Sequence, residues 1–167
     1  DVSDTFTYSL VSGTGDTDNA TFSIAGSSLK LTPSPNFEAK SSYSVRLHTT
    51  DAGGATFEKQ FTVTITNVNE VPTDIILSNS SVAENSAVNS VVGTLSTIDV
   101  DAGDAFTYSL VAGTGDTDNA SFSITGSSLK LSVVSDFEIK TSYTVRVRST
   151  DASGLSFEKQ FAINITN

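Results

Sequence analysis

The chain has 167 residues, a formal net charge of −10, and no Cys, Met or Trp. That length suits one comfortable domain or two small ones. The missing Cys excludes a disulfide scaffold, and the acidic balance excludes nucleic acid, whose phosphates need a basic counter-surface.

Ser, Thr, Val and Asn dominate between scattered Gly and Pro, a mix that favours strands and turns over helices. In chain order, residues 1–67 realign on 101–167 at a constant offset of 100, and 44 of the 67 pairs are identical. FTYSLVSGTGDTDNATFSIAGSSLKL in the first copy becomes FTYSLVAGTGDTDNASFSITGSSLKL in the second. A unit of this size is a domain rather than a solenoid turn. The expected organisation is a truncated repeat over 1–67 and a complete repeat over 68–167, with a linker at about 67–72. The first copy lacks the counterpart of 68–100, about two opening strands, so the chain is expected to begin inside a domain. Nothing resembles a signal peptide or a membrane-spanning run, so any export or anchor signal is expected elsewhere, with no membrane insertion by this stretch.

In the complete copy, Ile75/Leu77 and the stretch 91–95 supply the opening strands. Phe106, Tyr108 and Leu110 then share one face, as do Phe122/Ile124, Leu129/Leu131, Tyr143/Val145/Val147 and Phe161/Ile163/Ile165. A period of two, broken by turn residues, reads as half-buried strands. About seven of them per domain predict an all-β, immunoglobulin-like Greek-key sandwich. All ten Phe and all four Tyr lie in the duplicated part, each with its partner 100 residues away, and are read as core. A sugar-stacking platform would instead require exposed aromatics in the loops of one copy.

Acidic residues gather where strands stop. Asp99, Asp101 and Asp104 share one turn, Asp136 and Glu138 precede a strand, and Glu84 and Asp151 sit at further strand ends. Between the copies lie Asn67, Asn69 and Glu70, ahead of Pro72. Calcium takes six to eight oxygens from carboxylates, amides and carbonyls, which clusters at a domain end can supply. The 99–104 turn fails as an EF-hand loop, because its twelfth position is Leu110 and a strand pattern follows. Taken alone, that turn fits either a metal site or ordinary Asx-turn chemistry. The runs 16–19 and 116–119 read as hairpin loops held by Asx turns, in preference to an extra cation site. His48 is the only His and has Arg148 as its counterpart, so it is read as a solvated strand residue. No Ser lies in a nucleophile elbow and most polar motifs are duplicated, so no enzyme is expected.

Five short motifs in order resemble the cadherin repeat. Ser81–Asn85 is similar to that family's Glu-bearing segment, and Asp99-Val100-Asp101 resembles its DxD turn. Asp136-Phe137-Glu138 resembles its DxE motif, Thr150-Asp151-Ala152 its single-Asp turn, and 67–72 a shortened linker ending in Pro. The set looks like a bacterial-type cadherin-like tandem repeat of a large surface or secreted protein. The resemblance implies a junction calcium cluster of Glu38, Asn67, Asn69, Glu70, Asp99, Asp101 and Asp151, with Asn36 where the second copy keeps Asp136. It implies a half-cluster at the far end from Glu84, Asp136, Glu138 and Asn167, and an upstream remnant from Asp1 and Asp51. The expected function is a calcium-stiffened extracellular adhesion or spacer module whose partners are neighbouring repeats or homophilic protein contacts. The alternative is a carbohydrate-binding module recognising a surface polysaccharide.

Overall fold

Side chains of a strand alternate between two faces, so a period-two apolar pattern buries one face and wets the other. The computed structural model describes residues 5–167, and the chain divides into two compact units, Asp1–Val68 and Asn69–Asn167.

The first unit contains β1 (Phe6–Leu10), β2 (Phe22–Ala25), β3 (Ser28–Leu31), β4 (Ser42–Asp51) and β5 (Thr56–Thr64). They form an antiparallel sheet β1-β4-β5 and a hairpin β2-β3. The second unit contains β6 (Asp74–Leu77), β7 (Ser81–Ala83), β8 (Val91–Ile98), β9 (Thr107–Leu110), β10 (Phe122–Thr125), β11 (Ser128–Leu131), β12 (Ser142–Thr150) and β13 (Ser156–Thr166). Its sheets run β10-β11-β8-β6 and β7-β13-β12-β9, and only the β7–β13 pair is parallel. This is the expected all-β sandwich. No α-helix occurs among the described residues.

The opening segment of the second unit makes three strands instead of two, which gives that unit eight strands. The additional one, β7, has three residues and too little length to show a period. It exists because the backbone of β13 pairs with it: Ile165 stands opposite Val82, and the Glu84 N–H donates to Thr166 O at 2.8 Å. Gly93 permits a close approach in the same region, since a Cβ there would lie 2.6 Å from Asn79 O.

Between the second unit's sheets, Ile75, Leu129, Leu131, Val145, Val147 and Ile163 are fully buried. Phe122 meets Tyr143 edge-on with ring centroids 5.6 Å apart. Half-buried Tyr108, Phe157 and Phe161 pack against this core. The expectation that every aromatic is core fails in the first unit. There Val45 is buried and Phe22 meets Tyr43 edge-on, but Phe6, Tyr8, Phe57 and Phe61 are exposed, Phe57 by 65%. The strand pattern is the same in both copies; the strands that cover it, β6 and β8, have no counterpart among the described residues of the first unit.

The 116–119 loop is a clamp. Lys140 Nζ ion-pairs with Asp118, whose other oxygen accepts the Thr144 N–H at 2.8 Å. Asn119 spans the Val111 carbonyl and the Arg146 N–H, and Asp116 accepts the Gly113 N–H at 3.0 Å. Asp18 and Asn19 repeat this arrangement with Lys40, Ser44, Val11 and Arg46. Both runs therefore serve as loop clamps, with their carboxylates already engaged. Asp118→Ala strands the Thr144 amide and an ammonium, and is expected to cost about 1–3 kcal/mol, read as a lowered denaturant midpoint with an unchanged slope. His48 lies on the solvated face, between Glu58 Oε1 at 3.2 Å and Thr50 Oγ1 at 3.1 Å.

Candidate metal centre

Four acids of the second unit converge because two chain reversals occur at one end of its sandwich. The 99–104 turn joins β8 to β9, and Asp151 follows β12 where the chain turns into β13. Asp99, Asp104 and Asp151 each present a carboxylate oxygen within 4.8 Å of those of the other two. Asp101 and Asp151 are buried, at 7% and 6% exposure. Such acids normally belong on the surface unless something compensates their charge.

Part of the compensation is internal. Asp151 Oδ1 accepts the Ser153 and Leu155 N–H groups at 2.8 and 2.9 Å, and its Oδ2 accepts the Asn69 amide at 2.8 Å. The Asn69 amide above all, followed by these backbone donors, holds the Asp151 carboxyl below its ordinary range despite burial. Asp101 Oδ2 accepts the Glu70 N–H at 2.8 Å, and the Asp101 N–H donates to Asp99 Oδ1 at 3.2 Å. The segment carrying Asn69 and Glu70 is thus tied to the acidic turns.

The remainder is uncompensated. Asp99 Oδ2 and Asp104 Oδ2 are buried with no hydrogen-bond partner. Burial, and then the charges of Asp101, Asp99 and Asp151, raise the Asp104 carboxyl. Two orphaned carboxylate oxygens among four acids fit a hard, oxygen-seeking divalent cation. Asp104 lay in the turn read from sequence but outside the expected ligand set. Its position five residues after Asp99, in a run with Gly103, was the available signal.

At the other end of the same unit, Glu84 lies beside Glu138. Burial first, then a hydrogen bond with Glu138 and the charges of Glu138 and Asp136, raise the Glu84 carboxyl. Asp136 Oδ1 accepts the Ile139 N–H at 3.0 Å, and Asn167 is exposed at the end of the chain. In the first unit, Asn36 Oδ1 accepts the Ala39 N–H at 2.8 Å, Glu38 is exposed, and Asp51 Oδ1 accepts the Ala55 N–H at 2.8 Å. Asn67 is an exposed residue of that unit. Asp1 lies outside the described residues.

The raised carboxyls carry a testable sign. A group whose folded pKa exceeds its unfolded one contributes stability below the unfolded pKa and loses it as pH rises through the folded one. Glu84 and Asp104 are of this kind, so the chelator-treated chain is expected to lose stability as pH rises from the ordinary carboxylate range toward neutrality. The lowered acids Asp18, Asp118 and Asp151 withdraw their contribution only at more acid pH. Melting in EDTA across that range checks this, and Glu84→Gln with Asp104→Asn is expected to flatten the profile.

No family model matches the sequence, and no curated protein does. Among solved structures, the chain is similar to extracellular cadherin domains 1–4 of protocadherin gamma B7, with a TM-score of 0.67 and 23% identity over 95% of this chain. It is also similar to domains 1–2 of human protocadherin-24, with a TM-score of 0.72 and 19% identity over 97% of this chain. The chain has the cadherin-repeat fold. It spans 40% of the gamma B7 chain and 82% of the protocadherin-24 chain. On this cadherin fold Asp99, Asp101, Asp104 and Asp151 lie in turns at one end of the second unit's sandwich, and Glu84, Asp136 and Glu138 at the other, while the strand faces between them carry the core.

Proposed function

We propose that this chain is a calcium-binding, non-enzymatic module of an extracellular tandem-repeat protein, serving as an adhesive or spacer element. The observation that carries the reading is the pair of buried, partnerless oxygens Asp99 Oδ2 and Asp104 Oδ2 within the acidic end of the second unit. Asp99, Asp101, Asp104 and Asp151 would hold the ion, with Asn69 and Glu70 contributing from the adjoining segment. Calcium there supplies charge neutralisation. The acids supply the oxygens, and their bonds to Asn69 and Glu70 fix the start of the second unit, so neutralising them shortens the stretch of chain free to bend. Glu84, Asp136 and Glu138, with Asn167, are proposed as part of a second, weaker position.

The partners that suit such a module are neighbouring repeats and further copies of the same kind of domain; a related protocadherin gamma B7 fragment was solved as a cis-dimer. Calorimetric titration of the full chain with calcium tests the reading. Saturable binding is expected with a dissociation constant of roughly 10⁻⁴ to 10⁻³ M, the range of extracellular modules, and magnesium should not reproduce it. Asp99→Asn with Asp104→Asn should remove the tightest binding event; an unchanged isotherm would reject the site.

A further inference from the structure

The two chain reversals that carry the candidate metal ligands extend from different sheets of the second unit. β8 belongs to the sheet β10-β11-β8-β6 and leads into the 99–104 turn; β12 belongs to β7-β13-β12-β9 and leads into Asp151. Apolar contact between sheets is non-directional and sets no particular separation. Like charges at one end also push the two strand ends apart. A directional contact between the strands is needed to fix the distance between their acids.

One lies directly beneath them. Thr97, two residues before Asp99, places its Oγ1 2.6 Å from Ser149 Oγ, and Ser149 stands two residues before Asp151. Thr97 Oγ1 also lies 2.9 Å from Tyr108 Oη, and Tyr108 stands opposite Ser149 in the β9–β12 register. Ser149 has no exposed surface, and Thr97 and Tyr108 are half-buried. The surroundings are apolar: Thr97 stands opposite the fully buried Ile75, and Leu95 and Val147 are buried two residues back along their strands. Hydroxyls in such a place must satisfy one another, and three meeting there constrain distance and angle together. Two residues of strand span about 7 Å, so the cluster grips each strand close to the acid it carries.

We propose that Thr97 and Ser149, with Tyr108, are positioning residues of the candidate metal centre, setting the separation of Asp99 and Asp104 from Asp151. The inference rests on the calcium reading given above. Asn69 and Glu70 tie the acidic turns from the adjoining segment, whereas the hydroxyls join the strands themselves. Carboxylate oxygens of Asp99, Asp104 and Asp151 are thereby held within 4.8 Å of one another before an ion arrives. Binding then does not have to draw the two sheets together, which is the advantage of a preorganised site.

Calorimetric titration of calcium into the full chain and its variants tests this, with amide exchange in EDTA as a metal-free readout. Thr97→Val keeps the shape and removes the hydroxyl. It is expected to weaken the tightest calcium binding about tenfold, the lower end of the range for residues that support a metal's ligands. Thr97→Ser returns the hydroxyl and should restore most of the affinity. In EDTA, Thr97→Val should speed exchange of the Ser153 and Leu155 N–H groups, which donate to Asp151 Oδ1. Ile163→Val, a change in the same core opposite Tyr143 near the start of β12, should alter neither readout. Calcium binding by the parent with unchanged affinity and exchange in Thr97→Val overturns the proposal and leaves the calcium reading standing. So does an equal loss in Ile163→Val, because the effect would then be an ordinary loss of packing. A parent chain that binds no calcium rejects the calcium reading, and this role with it.

Discussion

Calcium at about 5 mM is expected to raise the melting temperature of the second unit by roughly 10 °C or more, and magnesium is not. For a site near the tight end of the extracellular range, about 10⁻⁴ M, that concentration is a fifty-fold excess and contributes about 2.3 kcal/mol through binding to the folded state alone. A domain of this size shifts by several degrees per kcal/mol. The direction rests on the four acids at one end of the second unit, two of which keep a buried oxygen without a donor. Asp99→Asn with Asp104→Asn removes the repulsion and the ligands together. The variant is therefore expected to melt higher than the parent in EDTA and to gain nothing from calcium. That pairing separates a metal site from a structural role, because loss of a merely structural carboxylate lowers the EDTA curve. Coincident parent curves with and without calcium would end the calcium reading.

Leu129→Ala is expected to destabilise the second unit by about 2–5 kcal/mol, the range for truncating a fully buried leucine. Leu129 has no exposed surface, stands opposite Ile124 on β10 and Gly93 on β8, and belongs to the central apolar cluster. Its counterpart Leu29 stands opposite Ile24 in the same register and is only half-buried. Leu29→Ala should cost about 1–2 kcal/mol, in proportion to the smaller area withdrawn from water. Calorimetry of the two variants checks the difference. Equal losses would contradict the view that the first unit's inward face is uncovered.

Which residues form strands, which face of each strand is apolar, and which positions interrupt them are local properties. They were legible from alternation such as Tyr143/Val145/Val147, from the turn residues between runs, and from the agreement of two copies. The acids at strand ends were legible for the same reason, since Asp99, Asp101 and Asp151 sit where the apolar period stops. Three things required the folded chain. β7 is too short for a period and exists through its pairing with β13. Asp104 joins the metal candidates because the 99–104 turn folds back toward Asp151, which lies about fifty residues on in sequence. Phe57 and Phe157 occupy the same pattern, yet one is exposed and the other half-buried. Sequence by itself determines which face a side chain takes, because that depends on its own strand. Only tertiary structure decides whether the face is covered, because burial belongs to whatever packs against it from elsewhere in the chain.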